Sequence, residues 1–242
     1  MKTAVITGGT SGIGLAAAKL FIENDYNCVL VGRSKIKAEA ALNQLNSDRA
    51  SFIPADVSST DDCGRIIIDT INRFNSIDIL INSAGQYIQN PIIETNEEQY
   101  YNIFDVNIKG VIFMCRAAIP HLIASKGCIV NVASDAAIKG NYCCALYAAS
   151  KGAVVAFSKS LALELADIPV RVNCVAPADV LTPLTVEQMR LSGETLEEIA
   201  SVYPMKRIAA PSEVAEAIYF LASPKSSFTT GSVFVVDGGL TA

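Results

Sequence analysis

Short apolar runs and segments with helical periodicity alternate along this chain. The apolar runs stop at glycine, asparagine, serine or aspartate, and residues 128–133 are so continuously apolar that we expect them to be buried on both faces. Runs of this length and residue content predict β-strands. The predicted strands are residues 2–7, 28–31, 51–55, 77–82, 128–133, 169–176 and 233–236.

Apolar residues spaced three and four positions apart predict helices between these strands. The predicted helices begin after Gly14 and then cover residues 35–45, about 58–74, roughly 97–124, from Tyr147 to about 165, and 212–222. This alternation predicts an α/β protein with a Rossmann-type, doubly wound parallel sheet of about seven strands, helices on both faces and right-handed crossovers. We expect a single domain, residues 1–242. A polar, helix-prone insertion at 184–204 is either a substrate lid or a plain pair of surface helices.

Composition and charge narrow the classes of protein that fit. The chain has 242 residues, of which 51% are hydrophobic and 18% charged, and this balance suits a large buried core. A net charge of −5 without any basic run argues against nucleic-acid binding. We expect a cytoplasmic protein with no membrane partner, because no apolar segment reaches spanning length and no signal peptide is recognisable. Seven cysteines without a Cys-x-x-Cys pair, and one histidine, predict reduced thiols and no metal site.

A glycine-rich turn joins the first strand to the first helix. It contains Gly8, Thr10, Ser11, Gly12, Ile13 and Gly14. Glycines in such a turn let the backbone approach a phosphate closely, and the amides at the helix start then face the negative charge. Because the turn lies between a strand and a helix, it predicts a dinucleotide site rather than an ordinary tight turn.

The second strand ends in Gly32, Arg33 and Ser34, without an acid. At this position an acid usually binds the ribose 2′-hydroxyl of NAD, whereas an arginine accommodates the 2′-phosphate of NADP. We therefore predict NADP(H) in preference to NAD(H), with Arg33 and Ser34 at the phosphate. The alternative is that Arg33 is an ordinary solvated turn residue.

Polar and small residues follow the next strands. Asp56, at the end of the third strand, is expected to contact the adenine, to cap its own turn, or both. Asn107 interrupts an apolar stretch of the long helix, and its amide needs hydrogen-bond partners. We expect it either to satisfy the backbone at a helix kink or to hold a water for chemistry. The fourth strand ends in residues that leave room for a flat ligand, Asn82, Ser83, Ala84 and Gly85.

Tyr147 and Lys151 lie four positions apart on a predicted helix, and therefore on one face. A nearby ammonium favours the phenolate, so we expect Lys151 to lower the Tyr147 pKa from an ordinary value of about 10. The same spacing occurs often by chance on solvated helices. Ser134, at the end of the fifth strand, and the glycine-rich turn favour a catalytic interpretation of the pair.

Together these residues resemble the compact short-chain dehydrogenase/reductase family over essentially the full chain. The resemblance rests on Thr7-Gly8-x-x-x-Gly12-Ile13-Gly14, Asn82-Ser83-Ala84-Gly85, Asn107, Ser134, Tyr147-x-x-x-Lys151, residues 177–182, Thr230-Gly231 and Asp237-Gly238-Gly239. Two residues depart from the family's pattern. Ser83 replaces the usual second asparagine, with little expected effect. Ala178 replaces the usual glycine and is expected to reshape the loop beside the nicotinamide, because alanine disfavours positive φ.

The resemblance implies an NADP(H)-dependent oxidoreductase that transfers a hydride between the nicotinamide and a ketone or secondary alcohol. Tyr147 would exchange the proton with the substrate oxygen, and Lys151 would lower the phenol pKa and bind the nicotinamide ribose. Ser134 would stabilise developing charge, and Asn107 would position a water in a proton relay. The family also implies a homotetramer, or a homodimer, with the long helices and the last strand at the interfaces.

Binding residues follow from the same resemblance. The implied cofactor residues are Gly8, Thr10, Ser11, Gly12, Ile13, Gly14, Arg33, Ser34, Asp56, Val57, Asn82, Ala84, Gly85, Tyr147, Lys151, Val180 and Thr182. The expected residues around a small-molecule carbonyl or alcohol substrate are Ser134, Ala136, Gln86, Tyr142 and Tyr147. Asp135 suggests a polar or hydroxylated substrate, but polyols, acyl-chain ketones and steroids all stay open.

Two other functions compete with an oxidoreductase. A dinucleotide-binding sensor or regulator could use the same fold without turnover, but it would not need an acid, its lysine partner and a serine together. A sugar-nucleotide epimerase or dehydratase would need a longer substrate domain than the 60 residues that follow Thr182.

Overall fold

The computed structural model describes residues 1–242 and confirms the predicted α/β fold. One sheet contains seven parallel strands: β1 Thr3–Thr7, β2 Asn27–Gly32, β3 Ala50–Pro54, β4 Ile79–Asn82, β5 Cys128–Val132, β6 Arg171–Pro177 and β7 Val233–Val236. Their order across the sheet is β3-β2-β1-β4-β5-β6-β7. Winding reverses between β1 and β4, and open α/β sheets bind their ligands at the carboxyl ends of strands at such a point.

Nine α-helices surround the sheet: α1 Gly12–Glu23, α2 Lys35–Leu45, α3 Thr60–Phe74, α4 Glu97–Phe104, α5 Gly110–Ser125, α6 Ala145–Glu164, α7 Pro183–Ser192, α8 Leu196–Ser201 and α9 Pro211–Ala222. The core has two layers, one on each face of the sheet. Val5 faces the layer of α3, α5 and α6, and its neighbour Ile6 faces the layer of α1, α2 and α9. Strand residues alternate between the two layers because successive side chains point to opposite faces.

Local signals explain where several helices begin. The Ser34 hydroxyl accepts a hydrogen bond from the Lys37 amide at the start of α2, and Ser59 does the same for α3. Thr182 caps α7, and Pro183 occupies the first turn, where its missing N–H costs nothing. These caps fix the ends of the segments that leave the sheet on its carboxyl side.

The long predicted helix is divided in the structure. A π-helical segment, Asp105–Lys109, separates α4 from α5, and Asn107 lies fully buried within it. The stretch Glu97–Ser125 is long and apolar enough to cross a membrane by length and composition alone. Met114, Ala118 and Leu122 are completely buried against the sheet, however, as in a core helix of this fold.

The predicted insertion at 184–204 forms the helix pair α7 and α8. Gly193 ends α7 in the left-handed region, with φ of 78°. A reciprocal pair of hydrogen bonds between Thr195 and Glu198 starts α8. The helices border the cavity described below; their movement as a lid stays a prediction.

Candidate active site

A cavity of about 570 Å³ opens beyond the carboxyl ends of β5 and β6. Of the residues predicted to contact substrate, Ser134, Tyr147, Gln86 and Tyr142 line it. Tyr142 is 88% exposed and lies at the rim. The structure does not bring Ala136 into the lining: this residue is buried behind Ser134, to which its amide donates a hydrogen bond. The walls come from α7, α8 and the loop after β6.

Ser134 is held in one orientation by its neighbours. Its hydroxyl donates a hydrogen bond of 2.8 Å to Asp135 Oδ1 and accepts one of 3.2 Å from the Ala136 amide. Asp135 in turn accepts a hydrogen bond from the Asn141 side chain at its other oxygen. The single hydroxyl proton of Ser134 is therefore directed at Asp135, and the hydroxyl must turn away from that carboxylate before it can donate to a substrate oxygen.

Tyr147 lies in the first turn of α6, with its ring 4.9 Å from the ring of Tyr87 in an edge-to-face arrangement. Burial raises the pKa of the Tyr147 phenol to about 12, and the neighbouring Ser134 hydroxyl opposes that rise. The predicted lowering of this pKa by Lys151 does not occur in this geometry, because desolvation of the phenolate outweighs any benefit from the ammonium. The phenol is therefore protonated near neutral pH.

Lys151 is only 6% exposed, one turn along α6 from Tyr147. Its Nζ donates a hydrogen bond of 2.8 Å to the carbonyl oxygen of Val132 and lies 6.0 Å from the centroid of the Tyr147 ring. Burial lowers the pKa of Lys151 to about 8, because removing the ammonium from water disfavours its charged form. The ammonium is thus close to its titration point under physiological conditions.

The Asn107 side chain ties the π-helical segment to the end of β4. Its Oδ1 accepts from the Gln86 amide at 2.8 Å, and its Nδ2 donates to the Gln86 carbonyl at 2.9 Å. The same Nδ2 also donates to Ser150 Oγ at 3.0 Å. Both amide hydrogens are therefore used within the protein, so the side chain satisfies backbone at a helix irregularity, as the first of the two expectations proposed.

The glycine-rich turn suits a phosphate ligand. Gly8 and Gly12 have φ of 66° and 52°, a region that glycine enters without strain. A Cβ atom on Gly14 would lie 2.5 Å from the Gly8 carbonyl oxygen, so glycine is required for α1 to pack against the turn. The Ser11 side chain does not cap α1, and the first amides of the helix have no intrahelical acceptor. This set of backbone donors fits the pyrophosphate of a dinucleotide.

The residues after β2 and β3 form the outer edge of the same crevice. Arg33 Nη1 lies 3.8 Å from Asp56 Oδ2, and the Arg33 side chain is 67% exposed. Asp56 Oδ1 also accepts hydrogen bonds from the amide and hydroxyl of Ser58, so Asp56 caps its turn, one of its two expected roles. The Ser34 hydroxyl caps α2, where it accepts a hydrogen bond of 3.3 Å from the Lys37 amide. A cation at this edge suits a 2′-phosphate.

Other predicted cofactor residues occupy different positions. The Asn82 side chain points into the core, where it donates to Asn131 Oδ1 at 2.8 Å and to Cys115 Sγ at 3.4 Å, so it cannot reach a ligand in the crevice. Val57 packs against Gly110, the first residue of α5. Ala84 is in backbone contact with the turn, 2.9 Å from where a Gly8 Cβ would lie.

The loop after β6 closes the crevice over the turn. The Thr182 methyl carbon lies 3.1 Å from where a Gly12 Cβ would stand, and Val180 is buried in a bridge with Ala209. Ala178 does not have positive φ, and its amide donates to the Val236 carbonyl at 3.1 Å. An effect of Ala178 on the loop beside the nicotinamide stays a prediction.

Asp179 is a cavity residue that the sequence did not single out. Its Oδ2 accepts a hydrogen bond of 2.7 Å from the Tyr203 hydroxyl, and burial raises the pKa of the carboxyl. Tyr203 is 24 residues away in sequence, so no local pattern could have announced the contact. Only the presence of an acid directly after Pro177-Ala178 offered a signal.

Comparison with known proteins agrees with this geometry. A family model described as enoyl-(acyl carrier protein) reductase matches residues 8–241. The chain is 36% identical to a 3-oxoacyl-[acyl-carrier-protein] reductase of Chlamydia pneumoniae, over 99% of this chain and 97% of the relative.

Solved structures extend the comparison. A short-chain dehydrogenase/reductase of Brucella melitensis, described as a glucose/ribitol dehydrogenase, superimposes with a TM-score of 0.92 at 38% identity, over 99% of this chain and 96% of the other. ElxO with NADP bound gives a TM-score of 0.93 at 31% identity, over 99% and 98%. The chain belongs to the short-chain dehydrogenase/reductase family, and it is an oxidoreductase that transfers a hydride between NADP(H) and a ketone or secondary alcohol.

Proposed function

We propose that Tyr147 and Ser134 bind the reacting oxygen of the substrate and that Tyr147 exchanges the proton. The observation that carries this assignment is the shared position of both side chains in the lining of one cavity, next to a glycine-rich turn suited to a dinucleotide. When bound, the cofactor supplies or accepts the hydride. Ser134 would donate its hydroxyl proton to this oxygen in place of its hydrogen bond to Asp135, while the Ala136 amide continues to donate to Ser134 Oγ.

The pKa of Tyr147 favours one direction of the reaction. A phenol with a pKa of about 12 is protonated at neutral pH, so it can donate a proton to a carbonyl oxygen as soon as substrate binds. The reverse reaction needs the phenolate, which burial disfavours. We therefore infer that Tyr147 is ready to act as the proton donor of ketone reduction near neutral pH.

Lys151 and Arg33 provide the cationic contacts on the cofactor side. Lys151, buried beneath Tyr147, would donate hydrogen bonds to the ribose hydroxyls. Arg33, at the exposed edge after β2, would bind the 2′-phosphate. The backbone amides of Gly12, Ile13 and Gly14 would hold the pyrophosphate, because they open α1 without a side-chain cap. Asn107 supports this site indirectly through the Gln86 backbone.

Two substrate classes are consistent with the relatives, since one is named as an acyl-carrier reductase and another as a glucose/ribitol dehydrogenase.

We also propose that the protein is a homotetramer of the cytoplasm. Seven free cysteines suit a reducing compartment. Apolar side chains stay 39–42% exposed on α9 and β7, at Phe220, Phe234 and Val235, where a subunit contact would cover them.

Replacement of Tyr147 by phenylalanine tests the assignment directly. We expect Tyr147→Phe to lower kcat by about 10²- to 10⁴-fold, the usual contribution of a general acid, while NADPH still binds. NADPH oxidation with a ketone and fluorescence titration of NADPH measure the two effects. Tyr101→Phe on exposed α4 is the matched control and should retain full activity. A fully active Tyr147→Phe would refute the assignment, and a wild type that binds NADPH but reduces no carbonyl would favour the sensor.

A further inference from the structure

Two carboxylates lie in the cavity without a cationic partner. Asp135 is only 6% exposed, and Asp179 is partly buried in the loop after β6. Both line the cavity together with Ser134 and Tyr147. None of the eight ion pairs of the chain includes either residue. Uncompensated carboxylates are costly to bury, so their presence beside reacting groups indicates a function.

Neutral donors hold both carboxylates in place and leave acceptor capacity towards the cavity. Asp135 accepts from the Ser134 hydroxyl and the Asn141 amide, one at each oxygen. Asp179 Oδ2 accepts from the Tyr203 hydroxyl, and Tyr203 also receives the Asp179 amide at 3.0 Å. Asp179 Oδ1 accepts no hydrogen bond from the protein. Each carboxylate oxygen offers two lone pairs, so this pair can receive several O–H donors from a ligand.

The other residues that line the cavity add to its negative charge. The charged residues that line the cavity are Asp135, Asp179, Glu194, Glu198, Lys139 and Lys151. The four carboxylates outnumber the two ammonium groups, and Lys151 is already hydrogen-bonded to Val132. A negative potential repels an anionic ligand and does not penalise a neutral one. The lining also contains the neutral polar side chains of Gln86, Gln89, Asn141, Thr185, Gln188 and Ser192, besides Ser83, Ser134, Thr182 and four tyrosines.

We propose that the substrate is a neutral, polyhydroxylated ketone or the corresponding polyol, and that Asp135 and Asp179 select it by accepting its hydroxyl hydrogens. This inference rests on the proposed function, because it places the reacting carbonyl at Ser134 and Tyr147. It disfavours acyl thioesters as preferred substrates, because their acyl chains offer no hydroxyl hydrogens to Asp135 and Asp179. Hydroxyl donors extend the pattern of neutral O–H and N–H donors that both carboxylates already accept.

A panel of probes with NADPH consumption as the readout tests the proposal. The probes are erythrulose, its apolar counterpart 2-butanone, acetoacetyl-CoA as the anionic thioester, and aminoacetone as a cationic ketone. We expect kcat/KM for erythrulose to exceed that for 2-butanone by about 10- to 100-fold, the range of one or two hydrogen bonds to a charged group. Acetoacetyl-CoA should be a poor substrate for the wild type.

Asp179→Asn should lower the preference for erythrulose over 2-butanone by about tenfold, through the KM for erythrulose. Tyr203→Phe removes only the hydroxyl that holds Asp179 and should lower the same ratio by a smaller factor. This second variant carries the test if the first does not fold, as judged by NADPH binding. Glu187→Gln, on the outer side of α7 and paired with Arg190, is the control and should change neither rate.

Three results would overturn the inference while the reaction itself stands: a wild-type preference for acetoacetyl-CoA, a preference for aminoacetone, or an erythrulose preference unchanged in both variants. In each of these cases Tyr147→Phe would still abolish the observed reduction. If the wild type reduces none of the four probes, the proposed function fails and the substrate inference fails with it.

Discussion

The crevice has two halves that are built from different chemistry. The cofactor half, around the turn between β1 and α1, offers backbone amides and glycines, and the charges at its edge are those of Arg33 and Asp56. The substrate half, beyond β5 and β6, is lined by side chains and holds the carboxylates of Asp135 and Asp179. Lys151 lies at the junction. The first half depends on where the backbone runs, and the second on which side chains meet.

Because the two halves are built differently, substitutions in them should have different effects on ligand binding. A change in the glycine-rich turn displaces backbone donors and affects every ligand of that half together. A change of one carboxylate removes an acceptor and alters the choice among substrates. Variants can therefore separate cofactor binding, the junction and substrate choice from one another.

The largest loss of cofactor affinity is expected from Gly14→Val. A Cβ at this position would lie 2.5 Å from the Gly8 carbonyl oxygen, so the turn must move away from α1. We expect the affinity for NADPH to fall on the order of 100-fold, because the amides no longer point at the pyrophosphate. Fluorescence titration of NADPH measures the loss, and undiminished binding would show that the turn does not hold the cofactor.

Gly64→Ala is the control for that substitution. A Cβ on Gly64, within α3, would meet nothing within 4 Å. Alanine in a helix interior should raise the free energy of unfolding by about 0.5–1 kcal/mol and leave NADPH binding unchanged.

The junction is tested by Lys151→Met, which should abolish activity but stabilise the fold at neutral pH. The folded-state pKa of Lys151 is about 8, below its ordinary value of 10.5. Between these two pH values the unfolded chain binds more protons than the folded one, so wild-type stability gains from this group as pH rises. We expect the variant to be more stable at pH 7 by up to about 3 kcal/mol, less the lost hydrogen bond to Val132.

Urea unfolding of both proteins at pH 7 and pH 10 measures this difference. The advantage of the methionine variant should shrink as the pH rises from 8 towards 10.5. A difference that stays constant over this range would mean that the folded protein does not depress the pKa of Lys151.

The smallest effect is expected from Arg33→Ala. The side chain is 67% exposed, so its contact with a phosphate is weakened by water and salt. We expect NADPH to bind about tenfold more weakly and NADH to bind as before. Arg73→Ala, at the exposed end of α3, should leave both affinities unchanged. If the affinities for NADPH and NADH fell equally, Arg33 would act through general electrostatic attraction and not through the 2′-phosphate. Substitution of Asp179, by contrast, should change only the preference among substrates.

Local sequence was sufficient for the strands and for the position of the glycine-rich turn between β1 and α1. The glycine-rich turn, Ser134 at a strand end and the Tyr147 helix each depend on short spacing, which the printed sequence contains. The direction in which a side chain points was harder to predict from the sequence. Asn82 ends β4, but the alternation of side chains along the strand turns it into the core towards Cys115, and Ala136 lies behind Ser134.

Burial and long-range contacts set the remainder of the site. The spacing of Tyr147 and Lys151 indicated a lowered phenol pKa, yet the opposite holds because both groups are desolvated. Asp179 becomes a cavity acceptor only because α7 and α8 bring Tyr203 back to it. Such a contact forms only in the completed fold, and no local sequence pattern predicts it.

The π-helical segment around Asn107 has a consequence for the rotational phase of the long helix. One additional residue in a helical turn rotates everything before it by about 100°, since an α-helix has 3.6 residues per turn. Asn107 holds that extra residue in place through the Gln86 backbone. A helix with ordinary winding over these residues would present a different side of α4 to solvent. The π-helical segment thus sets the direction in which Tyr100 and Tyr101 face outward from the molecule.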